Sequence, residues 1–302
     1  MISDEKVDHT FNLYQHKNTN EFIDDLDHLL NRYEPVGLHD LFKAINDGGV
    51  MSKPSFHLTF DDGFREMSDV VAPILMEKGV PATFFVNRAF TDNKSMCHEQ
   101  KASILAERAK IELPVHVRES ITVLMKRNNM TVEDIPSAIT TLPFSERYLL
   151  EEIADLMEFD FDEYLATRKP YLESSQIRSL INSDFTIGSH SIDHPMYGEI
   201  SLEEQVRQTV ESTRWVRETY GLDYGAFAFP YTDRHANAEF FSEIRSSGLV
   251  DISFGTGGMI NGNLSFNLKR FSMEKPFLPA RKIIQIHYAK KLYSGLIQKK
   301  NT

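Results

Sequence analysis

Apolar residues recur along this chain at two spacings in turn, and the alternation predicts its architecture. Phe22, Leu26, Leu29 and Leu30 stand at helical spacing with acidic residues between them, an amphipathic helix with no chemistry of its own. Residues 55–60 then read as a strand, residues 65–78 as a helix stopped by Gly79, and residues 82–86 as a second, buried strand. Strands alternating with helices predict a parallel sheet whose functional loops gather at the C-terminal ends of the strands.

From about residue 91 to residue 171 the strand-like runs vanish. Lys and Glu become frequent, while Ile104, Leu105, Ile111, Leu124, Leu149, Leu150, Ile153 and Leu156 sit in helical patterns. This stretch is expected to be a helical insert, either a wall or lid beside the functional loops or a structural elaboration. The alternation resumes with a helix at 174–182, a strand at 185–188 and a long helix at 202–220. Later strands are expected at 226–230, 251–254 and 266–271, and Ile283, Ile284, Ile286, Leu292 and Leu296 mark a terminal amphipathic helix. Residues 1–302 show no internal repeat and are read as one domain carrying the insert.

With 302 residues and 41% hydrophobic content, the chain can bury a substantial core. Its formal net charge of −11 argues against nonspecific binding to nucleic acid or an anionic membrane, and makes a neutral or cationic sugar the easier partner. Cys97 is the single cysteine, so no intrachain disulfide forms, and a small buried side chain is its expected role. Met1–Lys6 lacks the basic start and apolar stretch of a secretory signal, and no apolar run is long enough to cross a bilayer. A cytoplasmic location is the expectation; the oligomeric state is not legible.

The chemistry concentrates at two places. Asp61 and Asp62 follow the apolar run ending at Phe60 and precede Gly63, and adjacent carboxylates at a strand end call for a cation. His190 and His194 stand four residues apart and converge on one metal if their segment takes a helical turn. One aspartate with two histidines makes a three-ligand site with an open position, the arrangement of a catalytic zinc-type centre, and leaves the other aspartate as a base. The competing reading, histidines packed in a core and an aspartate capping the next helix, explains less of this context.

Thr59-Phe60-Asp61-Asp62-Gly63 followed by His190-Ser191-Ile192-Asp193-His194 resembles the first two motifs of the polysaccharide deacetylases, carbohydrate esterase family 4, over about residues 55–231 with the insert between them. The resemblance implies a distorted (β/α) barrel of the polysaccharide deacetylase type, with a helical insert, and metal-dependent removal of N- or O-acetyl groups from a carbohydrate. It implies Asp61 as general base and Asp62, His190 and His194 as ligands of a divalent ion, zinc first, with cobalt, nickel or another first-row ion as alternatives. Phe229-Pro230-Tyr231 is similar to the third motif, whose loop amide binds the developing oxyanion, and makes Tyr231 the matching donor.

Two departures from that motif are Ala228, where an arginine is usual, and Thr232, where a glycine is. Arg270, near a late strand end, can orient the base from another direction; an arginine there also suits a surface salt bridge. The later family motifs are not recognisable, the only tryptophan being Trp215 on the long helix. The proton donor to a leaving amine is therefore open among Asp61 itself, a bound substrate group, Glu274 and His235, with His287 better suited to packing. Gly255-Thr256-Gly257-Gly258 lacks the lysine of a phosphate loop and reads as a turn. Phe84-Phe85 and Phe240-Phe241 read as core, and Tyr197 as an aromatic lining a saccharide groove. The expected partner is an acetylated saccharide, such as a precursor in surface-polysaccharide or lipid-linked sugar assembly. The competing readings are hydrolysis of a non-sugar carbon–nitrogen bond, such as a cyclic amide, and a catalytically silent carbohydrate-binding protein.

Overall fold

The computed structural model describes residues 1–48, 50–111, 113–258 and 265–300, with side chains described through Lys291. A short parallel ladder joins β1 (Glu34–Pro35) to β2 (Ser55–Phe56). The main sheet has six parallel strands in chain order: β3 (Leu58–Phe60), β4 (Ala82–Val86), β5 (Thr186–Ser189), β6 (Ala226–Ala228), β7 (Ile252–Thr256) and β8 (Asn267–Arg270). The run 55–60, expected as one strand, is divided at His57, and β2 and β3 pair with different partners. The ring of His57 bridges the two ladders, with Nδ1 2.8 Å from the Val36 carbonyl and Nε2 3.0 Å from Thr83 Oγ1. Burial pushes that imidazole down to about 4, so it sits there neutral.

Strands added one after another in one direction curl the sheet into a half-barrel. Its two edges approach at the strand ends, where Arg270 of β8 donates to Thr59 Oγ1 of β3 at 2.8 Å. Side chains alternate across the sheet. Phe84 faces outward and packs with Phe22, Leu26, Leu75, Ile187 and Val216, which belong to the surrounding helices and strands. Phe85 faces inward with Phe254, Ala228 and Leu268, and the helix Leu38–Asn46 closes that end with Leu38 and Leu41. Each fully buried phenylalanine contributes about 1.5–3 kcal/mol, so these two layers carry much of the sheet's stability.

The segment after β4 is helical, as its pattern predicts: His98–Lys110, Val115–Arg127, Ile135–Thr140, Leu149–Leu156 and Phe161–Arg168 enclose a separate core around Leu105, Ile121, Ile139 and Ile153. Ile111 departs from its expected place on an apolar face: the first helix ends at Lys110 and Ile111 is exposed. The insert returns through Tyr171, which bridges to Phe64 and stacks between Phe64 and Phe90 at 6.0 and 5.2 Å. That stack fixes the insert to the turn carrying Asp61 and Asp62.

The helices Ser174–Asn182 and Leu202–Tyr220 span the residues their patterns predict. In the terminal helix Ala280–Lys300, Ile283 and Ile284 are buried while Ile286 is exposed; the side chains of Leu292 and Leu296 lie outside the described residues. Among the described residues no helix is long and apolar enough to cross a membrane.

Candidate active site

Every residue of the site lies at the C-terminal edge of the curled sheet. Beyond β3 the chain turns through Asp62 (φ 75°) and Gly63 (φ 67°), both left-handed. Aspartate tolerates that conformation better than most side chains, and strain of this kind collects where function requires it. The turn is held from the insert side, with Leu172 N donating to the Gly63 carbonyl at 2.8 Å and Arg65 N to that of Pro170 at 2.9 Å.

The histidines arrive by a different geometry from the one expected. A helical turn does not form after β5; the chain folds through left-handed Ser191 (φ 69°) and His194 (φ 62°) instead. Ser191 Oγ accepts from His194 N at 3.0 Å and Gln208 Oε1 accepts from Ile192 N at 2.8 Å, so side chains satisfy backbone donors that a helix would have paired internally. The two imidazoles end with ring centroids 5.0 Å apart.

Asp62 Oδ1 lies 3.4 Å from His190 Nε2 and 3.3 Å from His194 Nε2. Three donors at about 2.0–2.1 Å from one tetrahedral ion stand about 3.3–3.4 Å apart; both Asp62 edges match this and all three donor atoms lie within 4.8 Å of one another, so these side chains fit a divalent first-row metal. His190 Nδ1 is 2.8 Å from the Ala228 carbonyl, which can only accept, so Nδ1 carries the proton and Nε2 presents its lone pair to the cluster. Burial raises the Asp62 carboxyl, but the two imidazoles beside it outweigh that and hold it well below the carboxylate range. Burial disfavours a charged His194, yet Cys97, Asp62 and Glu99 around it raise its pKa well above the ordinary histidine value.

Asp61 points away from this triangle, to Arg270. The guanidinium donates from Nη1 to Oδ1 and from Nη2 to Oδ2, both at 2.8 Å, in a bidentate pair. Arg270 is itself packed over the rings of Phe85 and Phe254 at 5.6 and 6.0 Å. Burial works to raise the Asp61 carboxyl, whereas Arg270 and His190 bring it below its ordinary value. It is thus an ionised acceptor at neutral pH.

A family model described as polysaccharide deacetylase matches residues 48–250. The chain belongs to the polysaccharide deacetylase family. Among solved structures, the Streptococcus pyogenes deacetylase PplD in complex with acetate is 14% identical with a TM-score of 0.61, over 95% of this chain and 94% of that one. A de-N-acetylase from Aggregatibacter actinomycetemcomitans is 16% identical with a TM-score of 0.55, over 89% and 87%. The BpsB deacetylase domain from Bordetella bronchiseptica is 14% identical with a TM-score of 0.50, over 89% and 87%. At these identities the likeness is one of fold, the distorted (β/α) barrel. No curated protein matches the sequence.

Phe229-Pro230-Tyr231 forms a tight loop after β6, with Tyr231 left-handed (φ 54°). Among the described residues the Tyr231 amide has no acceptor. Its side chain turns back into the site, where Oη lies 3.1 Å from His194 Nδ1 and donates to Glu99 Oε1. Burial drives that phenol well above its ordinary value, so it stays protonated.

Glu99 and Cys97 were not legible as site residues. Both belong to the insert: Cys97 caps the helix His98–Lys110 and Glu99 lies in its first turn. Cys97 Sγ donates to Glu99 Oε2 at 3.2 Å and lies 3.8 Å from His194 Nδ1, and Glu99 Oε2 is 3.6 Å from the same nitrogen. Burial pushes the Cys97 thiol up to about 11, which keeps it a neutral donor. No spacing in the sequence announces the pair, because tertiary packing alone brings them to His194.

Other candidates have packing or pairing partners of their own. Tyr197, expected to line a saccharide groove, is fully buried among Phe227, Phe229 and Phe240, with its hydroxyl on Thr209. His287 stacks on Phe271 at 4.1 Å, a packing role. His235 lies over Gly198, where a methyl group would meet its ring at 2.9 Å. Glu274 holds the amino group of Met1 at 2.9 Å. Gly255 and Thr256 belong to β7 rather than to a turn, and Gly255 leaves room for the Asp233 carboxylate, 2.2 Å from where a Cβ would sit.

Proposed function

We propose that this polysaccharide deacetylase removes N- or O-linked acetyl groups from a carbohydrate by metal-dependent hydrolysis, with zinc or another first-row ion held by Asp62, His190 and His194. A surface-polysaccharide precursor is the substrate class we put first. The observation that carries the reading is the juxtaposition of a three-donor triangle with a separate, arginine-clamped carboxylate. A binding protein has no use for that second aspartate.

An ion bound by Asp62, His190 and His194 supplies Lewis acidity toward the acetyl carbonyl and lowers the pKa of a water beside it. Asp61, held ionised by Arg270, accepts a proton from the attacking water as the new C–O bond forms. The free Tyr231 amide donates to the carbonyl oxygen as it gains charge, an interaction strongest in the transition state. Breaking the C–N or C–O bond to the sugar then requires a proton on the leaving atom. Protonated Asp61 supplies it, since a carboxyl held at low pKa is a strong acid once it carries a proton. Water and the acetylated sugar are consumed; acetate and the free amine or hydroxyl are released.

Elemental analysis of protein purified without chelator or nickel tests the centre. One ion per chain, absent from a His190→Ala/His194→Ala variant, is expected, with acetate release lost in Asp61→Asn although its metal is retained. Protein that takes up no ion even when zinc or cobalt is supplied would overturn the mechanism.

A further inference from the structure

We infer that Glu99, carried into the site by the helical insert, is a positioning residue that sets the proton on His194 and couples the metal triangle to the loop of Tyr231. The inference rests on the reading of His194 as a metal ligand. It concerns the other face of that imidazole, which the reaction itself does not use.

The hydrogen-bond directions follow from what each group can do. Ionised Glu99 is acceptor only, so the Tyr231 hydroxyl and the Cys97 thiol must both donate to it, one to each oxygen. With its proton committed to Glu99, Tyr231 Oη is left as an acceptor, 3.1 Å from His194 Nδ1. When a metal ion occupies the triangle, the one proton that His194 keeps belongs on Nδ1, and the Nε2 lone pair faces Asp62 and His190. A histidine whose far nitrogen is fixed in this way binds metal in one orientation and one tautomer, and losing such an outer partner typically weakens metal affinity 10–100-fold.

Glu99 is well placed to act as the anchor of this relay. It sits in the first turn of a 13-residue helix, where a carboxylate is favoured by the helix dipole. The start of that helix is pinned by Tyr171 Oη, which accepts from Cys97 N at 3.0 Å and donates to Gln100. Tyr171 in turn stacks on Phe64, two residues from Asp62. The insert is thus tied to the site at both ends of the triangle. Glu99 also holds the Tyr231 loop from 132 residues away, so one carboxylate orders both that loop and His194.

The test uses zinc as probe on the full chain, with affinity measured by competition against a chromophoric chelator. Expected is a 10–100-fold loss for Glu99→Gln and for Tyr231→Phe, which keeps the loop amide. The double variant should be no worse than the weaker single one, because both break the same relay. Nitrogen-15 NMR of the zinc-loaded protein should find the His194 proton on Nδ1 in the wild type. Additive losses, or wild-type affinity in Glu99→Gln, would overturn the proposal. So would two zinc ions per wild-type chain falling to one in Cys97→Ser, since the cluster would then be a second metal centre. A wild type that binds no zinc would instead refute the metal site itself, a result distinct from any of these.

Discussion

Replacing Arg270 with alanine tests the assignment of the base more sharply than replacing Asp61, because it leaves the carboxylate in place and removes only what holds it. The guanidinium makes three 2.8 Å bonds, two to Asp61 and one to Thr59. The pair is partly buried, with 17% of the arginine and 31% of the aspartate side chain exposed. Removing one partner of a fully buried pair costs about 3–5 kcal/mol, and the solvent access of Asp61 lowers the expectation here to about 2–3 kcal/mol of folding stability. Burial and the Asp62 charge, both of which raise the Asp61 carboxyl, are then opposed by His190 alone. The sign follows: the wild-type base is ionised down to low pH, whereas the variant loses kcat/KM earlier as pH falls, because its carboxyl protonates at higher pH. Release of the base from its fixed orientation should also cost about 100-fold in kcat, the scale expected for a catalytic group displaced by about 1 Å. The assay is acetate release from an N-acetylated oligosaccharide, or hydrolysis of a fluorogenic acetate ester, measured against pH. Arg270→Lys should fall between the two, since lysine restores charge without the two-pronged geometry. Metal content should not change in either variant. An Arg270→Ala protein with the wild-type acid limb and a rate within threefold would refute the reasoning.

Three other sites give independent checks. In Gly188→Ala on β5, the new methyl group would lie 2.3 Å from the Phe85 ring and 2.8 Å from the Ala226 carbonyl, and a loss of about 1–3 kcal/mol in urea unfolding is expected; unchanged stability would contradict the packing. Lys17 and Asp25, 3% and 9% exposed, form a buried ion pair that also grips the Leu278 carbonyl and Ala280 N, so Lys17→Met should cost about 3–5 kcal/mol by leaving Asp25 unpaired, and an unaltered denaturation midpoint would sink that claim. Burial raises the Asp233 carboxyl, but Lys269, Thr256 N and Asn267 together bring it below its ordinary value. Its contribution to stability is therefore present above the ordinary carboxylate pKa and lost as pH falls through the depressed one, so Asp233→Asn should flatten the decline in stability between pH 7 and about pH 3, and an identical slope in both proteins would show that the carboxylate is not the cause.

The parts of the fold that were legible are those in which local pattern and tertiary need coincide. The strand Ala82–Val86 is buried at every position, and Leu202–Tyr220 begins at a serine cap and ends at left-handed Gly221, so sequence alone marks both. His57 shows where this stops. Its division of one apolar run into two strands depends on Val36 and Thr83, partners that no local period reveals. Tyr197 fails for a related reason: being next to a histidine motif suggested a groove, but its neighbours Phe227, Phe229 and Phe240 converge from a later strand and helix and draw it inward. In the site itself, Asp61, Asp62, His190 and His194 could be proposed because they fall into two short local patterns, Asp61-Asp62 after a strand and His190 with His194 four residues on. Arg270 could be named only as an arginine near a strand end; its approach to Asp61 requires the first and last strands of a curled sheet to meet. Glu99 and Cys97 needed still more, the docking of a whole helical insert. A single-residue signal cannot encode a contact made by closing a barrel or seating an insert, and such contacts are the ones that orient groups already identified by motif. The chemistry of this site is therefore written locally, while its precision is written in long-range packing.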